Sequence, residues 1–306
     1  MLCFTCAELN QECIMADVPA GKVPILESVG AAYRYLFDNW QMWLPAVVVL
    51  SALSAVIAVV NPAILIPKFE FISATQSLQS SIFISIASLI FTTGVLKHAL
   101  HDEFQPPLGI TFGKPELRVL GVTLGLILIF GIISIFVLFV FSIMLAGAAA
   151  QMGLDLEAAD PVAMQEVFAK LMQDGGNIFI IAFAVVCFAA AIFVYIRLLF
   201  VQAATVAEGR MVVFSSWGLS QGNWWRILAA VLLVAIPVSI VSDILFSILE
   251  IGLLKNNAAS VSSLNHGLFG FGVGLVTTYA SVTMAGLIAY LYKGLQPREP
   301  VSSVFE

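Results

Sequence analysis

Residues 119–150 read VLGVTLGLILIFGIISIFVLFVFSIMLAGAAA, an apolar run without one charged side chain. A helix needs roughly 20 such residues to cross the hydrocarbon core of a bilayer; runs of roughly 10–14 are what a buried helix of a soluble domain shows. This run is well past that limit, so its solvent is lipid. The same pattern recurs along the chain. Apolar stretches separated by charged residues place six spans, near residues 42–60, 76–97, 118–148, 176–200, 225–249 and 266–293. The short alternating strands of a membrane β-barrel do not occur. The expected fold class is therefore all-α, a polytopic transmembrane helical bundle.

Composition agrees. The chain has 306 residues, of which 60% are hydrophobic and 10% charged, and its mean hydropathy is +1.02. Soluble domains run at roughly 45–50% apolar and roughly 25% charged, so the surplus apolar surface here could not be hidden from water. The net charge of −6, with thirteen Lys and Arg and no basic patch, gives no footing for nucleic acid.

The basic residues orient the spans. Lys22, Arg34, Lys97, Lys114, Arg118, Arg197, Arg210, Arg226, Lys293 and Arg298 fall on one side of a six-span layout, and Lys68, Lys170 and Lys255 on the other. Short cytoplasmic loops collect Lys and Arg, so ten against three puts both termini in the cytoplasm. Residues 1–26 and 296–306 become cytoplasmic tails, the first expected to be disordered, around one transmembrane domain at 27–295. No basic region precedes an apolar core at the N-terminus, so no cleaved signal peptide is expected. Met15 is an alternative start, which would remove Cys3, Cys6 and Cys13. Those cysteines lack the second CxxC or nearby His of a metal site, and Cys187 reads as a small apolar filler.

On the outer side, residues 151–176 form the longest loop and the most acidic. Asp160-Pro161 reads there as the start of a short amphipathic helix. On the inner side, SVGAAYRYLFDNW (residues 28–40) and FSSWGLSQGNWW (residues 214–225) precede spans one and five, and each holds an Asn-Trp pair. With a looser counterpart at residues 110–120, they predict three repeats of an interfacial helix followed by two spans.

Few residues could carry chemistry. Gly218-Leu219-Ser220-Gln221-Gly222 matches G-x-S-x-G, which exposes a nucleophilic Ser when a strand precedes it and a His lies near. Here no strand precedes it, and a turn between an interfacial helix and span five is the plainer reading. His98 and His101 share a helical face beside Asp102, a weak metal-ligand pattern; the plainer reading is a polar helix end. Asp243 is the only acid well inside an apolar segment. An intramembrane acid is a functional hypothesis by default, but its depth, near the far end of span five, makes a structural role the simpler one. Arg197 and Glu208 are a candidate ion pair. Gly121-xxx-Gly125 and Gly270-xxx-Gly274 permit close helix approach. No phosphate loop, dinucleotide fingerprint or HExxH is present. The residues therefore specify no catalytic site and no cofactor.

The stretch RLLFVQAATVAEGRMVVFSSWGLSQGNWWRIL (residues 197–228) resembles the bacterial membrane domain that occurs alone in six-span proteins and fused to some glycerophosphoryl diester phosphodiesterases. Arg197, Glu208, Gly209, Ser216, Trp217, Leu219, Gly222, Asn223, Trp225 and Arg226 fall on that family's pattern. The clear match covers about a tenth of the chain. The phosphodiesterase domain is missing, so the resemblance implies a membrane module without an enzymatic activity.

Three functions fit these residues. The first is a structural or accessory inner-membrane protein with a role in envelope or lipid homeostasis. The second is a transporter or lipid-translocating protein, and the third a membrane-embedded hydrolase at Ser220. Scarce intramembrane charge speaks against ion coupling, which places ionisable groups near the midplane. The partners implied are membrane lipids, with homo- or hetero-oligomers through the spans left open.

Overall fold

A computed structural model of the chain describes residues 22–60, 74–106, 108–109, 113–151, 178–213, 216–255 and 262–296. The cysteine-bearing N-terminus, the acidic loop with its expected short helix, Lys68, Lys170 and the C-terminal tail lie outside the described residues. Every regular element described is helical: α1 (Ile25–Val60), α2 (Ala74–His101), α3 (Lys114–Gln151), α4 (Ile178–Leu198), α5 (Val201–Glu208), α6 (Ser216–Leu219), α7 (Trp224–Leu249), a π-helical turn at Glu250–Lys255, and α8 (Ser263–Leu295). Six of these helices carry stretches long and apolar enough to cross a membrane. The chain is an all-helical polytopic protein.

Two helices depart from the expected pattern. α1 runs 36 residues without a break, roughly 54 Å at 1.5 Å per residue, well beyond a hydrocarbon core of roughly 30 Å. Residues 28–40 are thus the projecting part of the first span's own helix and form no separate interfacial element. Pro45 lies inside α1, where it removes one rung of the hydrogen-bond ladder without ending the helix. Before span five, only the single turn α6 and a turn at residues 220–223 separate the chain from α7. The three-repeat expectation therefore has unlike first and third units.

The helices fall into two compact units. The first comprises the described residues up to Val122 and from Arg197 onward. Its principal packing is α8 on α1, and glycine makes that packing possible. A methyl group added at Gly270 would sit 2.5 Å from Cβ of Ala58, and one at Gly274 would sit 2.6 Å from Cα of Ser51. No real pair of carbons comes so close, so both positions need hydrogen where another residue has Cβ. The close approach expected of Gly270-xxx-Gly274 is thus satisfied within one chain. Trp43, Phe91, Leu96, Phe200, Ile227, Leu287 and Tyr292 are buried completely or nearly so.

The second unit, Thr123–Ile196, contains most of α3 and α4. Its helices show no polar stripe. Ile127, Ile132, Ile135, Phe136, Val186 and Phe188 are each more than half exposed. A helix apolar on all sides suits lipid as solvent. Cys187 makes no disulfide.

Candidate functional site

The described residues of 197–213 and 216–226 carry polar groups that tie separate segments together. Arg197, in the last turn of α4, donates Nη1 to the Trp217 carbonyl at 3.0 Å and to Ser220 Oγ at 3.4 Å. Its guanidinium lies 5.6 Å from the centre of the Trp217 ring, within cation–π range. The Arg197–Glu208 pair expected from the sequence gives way to a local one. Glu208 meets Arg210 at 2.7 Å on an exposed surface, where such a pair contributes little. The reason is the turn between them: Gly209 takes the left-handed conformation (φ 60°) that ends α5, folding Arg210 back beside Glu208.

Thr205 closes that turn. Its Oγ1 donates to the Val201 carbonyl at 2.7 Å and accepts from the Val212 amide at 3.4 Å. Gly222, also left-handed at φ 80°, then reverses the chain into α7. Asn223 and Arg226 at the start of α7 reach across to Val23. Asn223 Oδ1 accepts from the Val23 amide at 3.4 Å, and Arg226 Nη1 donates to the Val23 carbonyl at 3.2 Å. Both backbone groups of one residue just ahead of α1 are therefore held by side chains two hundred positions away. Trp224 and Trp225 stack at 3.9 Å, and Trp225 is 71% exposed, as an aromatic belt residue is.

Ser220 is fully buried, its hydroxyl donating to the Trp217 carbonyl at 3.3 Å and accepting from Arg197. A helical turn precedes it in place of a strand. The nucleophile elbow that G-x-S-x-G marks in hydrolases is not formed, and the motif serves as a turn.

His98 sits among aromatic side chains. Its Nδ1 lies 2.9 Å from the Tyr35 hydroxyl, and its ring packs edge-on against Trp43 and Phe104. His101 and Asp102 are exposed, and Asp102 takes a left-handed turn (φ 56°) as α2 ends. Among the described residues no three His, Cys, Asp or Glu side chains are placed to hold one metal ion. Asp243 lies on an exposed face of α7, roughly 28 Å along from Trp224.

Two features lay outside the sequence reading. Lys97 on α2 and Glu116 on α3 form an ion pair, with side chains 15% and 4% exposed. Glu116 Oε2 also accepts from the Gly113 amide at 2.9 Å, so it caps its own helix from the third position. The Pro115-Glu116 pair after Gly113 was the available cue for the cap. Nothing local indicated Lys97.

The second is a cavity of about 470 Å³ inside the first unit, bounded by α1, α2, α5 and α8. Leu50, Leu53, Ile57, Ile84, Leu89 and Val273 supply apolar walls. Ser54, Ser85, Ser88, Thr92, Thr277 and Thr278 supply hydroxyls, and Gln202 an amide. None of these lining residues is charged. The signal in the sequence was hydroxyl residues at helical spacing in apolar runs, such as Ser85, Ser88 and Thr92. That spacing alone does not say which helices share a space.

No protein-family model, curated protein or solved structure matches the chain.

Proposed function

We propose that this chain is a multi-pass inner-membrane protein of a bacterium, with both termini cytoplasmic, that acts in envelope lipid homeostasis by binding a lipid-derived molecule within its helices. The observation that carries the reading is the cavity between α1, α2, α5 and α8. Its volume falls in the range of small-molecule sites, roughly 300–1,000 Å³, and its walls are mostly apolar with a few polar groups, as in such sites. Uncharged walls suit a lipophilic ligand and give an ion no partner. The resemblance of residues 197–228 to the membrane domain fused to glycerophosphodiester phosphodiesterases points the same way, toward lipids.

The test is purification from native membrane into bilayer discs, followed by mass spectrometry of the extracted small molecules. A lipid-derived species retained at a fixed ratio to protein supports the proposal; recovery of bulk lipid in bulk proportions refutes it. Orientation has its own test. Single cysteines at positions 114 and 170, in a background without the native cysteines, are expected to react with impermeant reagent from opposite sides.

The accessory reading keeps one observation of its own: Arg197, Asn223 and Arg226 each tie separate segments together, through the Trp217 carbonyl and the backbone of Val23.

A further inference from the structure

The cavity also selects among lipids by size, charge and hydrogen-bonding sense. A cavity of about 470 Å³ lies in the range of sites for drug-sized ligands, roughly 300–1,000 Å³. A single-chain amphiphile is of that size, and a diacyl phospholipid is beyond it.

Charge is the second filter. Leu50, Ser54, Ser88, Thr92, Gln202 and Thr277 typify the lining, and no lysine, arginine or histidine lines it among the described residues. A carboxylate or phosphate placed there would lose its water without gaining a counter-charge, at a cost of several kcal/mol. A neutral head avoids that cost.

The third filter is the direction of the hydrogen bonds. Ser54 donates to the Leu50 carbonyl at 3.0 Å and Thr92 to the Ser88 carbonyl at 2.8 Å. Thr277 donates to the Val273 carbonyl at 2.8 Å and Thr278 to the Gly274 carbonyl at 2.7 Å. A hydroxyl has one proton and two lone pairs. With the protons engaged on their own helices, these four oxygens face a ligand as acceptors. The head that matches these four donates, and a hydroxyl, which also accepts, suits the Gln202 amide on the same lining.

Resting on the lipid-binding reading above, we infer that the cavity binds a neutral single-chain amphiphile with a hydroxyl head: a long-chain alcohol, a monoacylglycerol or an isoprenoid alcohol.

The experiment uses the full chain in discs of dimyristoyl phosphatidylcholine and a myristyl alcohol bearing a mid-chain diazirine. After illumination, labelled peptides are mapped by mass spectrometry. The expected result is label concentrated on the cavity-lining segments of α1, α2 and α8, competed by unlabelled myristyl alcohol and not by ionised myristate. Two independent fillers, Ser88→Phe and Ile57→Trp, are each expected to cut cavity labelling about tenfold while circular dichroism and elution volume stay unchanged. Having two guards against one of them failing to fold. Label spread over all lipid-facing surfaces, or unaffected by either filler, overturns the site. Equal cavity labelling by a myristate diazirine overturns the ligand class and leaves lipid binding standing. Absence of cavity label from both probes, with no retained lipid in the extraction experiment, overturns both.

Discussion

Removing the charge of Lys97 tests the energetics of the first unit most sharply. Lys97→Met keeps most of the apolar stem and takes away the ammonium that Glu116 faces. The Glu116 side chain is only 4% exposed, so its carboxylate cannot recover water without the helices parting. Breaking a buried pair from one side costs about 3–5 kcal/mol. The bond from the Gly113 amide at 2.9 Å survives, which places the expectation near the low end, about 3 kcal/mol. For a chain of this size that lowers the thermal midpoint by roughly 5 °C. The double variant Lys97→Met/Glu116→Leu removes the carboxylate together with the ammonium and should regain at least half the loss, because buried ion pairs replaced on both sides by apolar groups are often neutral. The assay is thermal unfolding in one detergent, read by loss of the monodisperse elution peak, with the four proteins of the double-mutant cycle run together. A Lys97→Met midpoint within about 1 °C of the parent, or a double variant no more stable than the single, would refute the reasoning.

Asn223→Ala leaves the buried Val23 amide without its acceptor, a loss of about 1–3 kcal/mol; hydrogen exchange at residues 22–28 should accelerate, and unchanged protection there would argue against the clamp. Gly274→Ala should lower the midpoint strongly by pushing α8 off α1, whereas Gly125→Ala, with no atom within 4 Å of the new methyl, should hold or raise it by up to about 1 kcal/mol. Thermal unfolding of the pair decides, and equal behaviour would contradict the packing described. Arg197→Lys keeps the charge but loses the planar fork that serves the Trp217 carbonyl and Ser220 together. A loss of about 1–2 kcal/mol is expected, read as a shift in intrinsic Trp217 fluorescence and in midpoint; no change in either would show that charge alone suffices there.

Much of the architecture was legible before any coordinates. The six spans follow from residues such as 119–150, because hydrocarbon admits only segments that satisfy their own backbone and carry no charge. That rule acts on each segment separately, so it can be read from each segment separately. The projecting start of α1 was harder: residues 28–40 look interfacial, and nothing in their pattern said that the helix would run on unbroken into the span. Gly270-xxx-Gly274 declared a close contact but not its partner, which turned out to be Ser51, Ser54 and Ala58 of the same chain. Arg197, Trp217, Asn223 and Arg226 were distinctive as a string. Their roles depend on Val23 and on the Gly209 and Gly222 turns.

What the sequence by itself determined is the solvent: an apolar chain this poor in charge must live in lipid, as helices, and transfer energies summed over twenty residues leave no alternative. What only the tertiary structure decided is which polar groups face one another. Lys97 meets Glu116, Asn223 and Arg226 take Val23, and hydroxyls from α1, α2 and α8 border one cavity. Each of those meetings brings together groups from separate helices or segments, and it follows from the packing of whole helices, which no local pattern encodes.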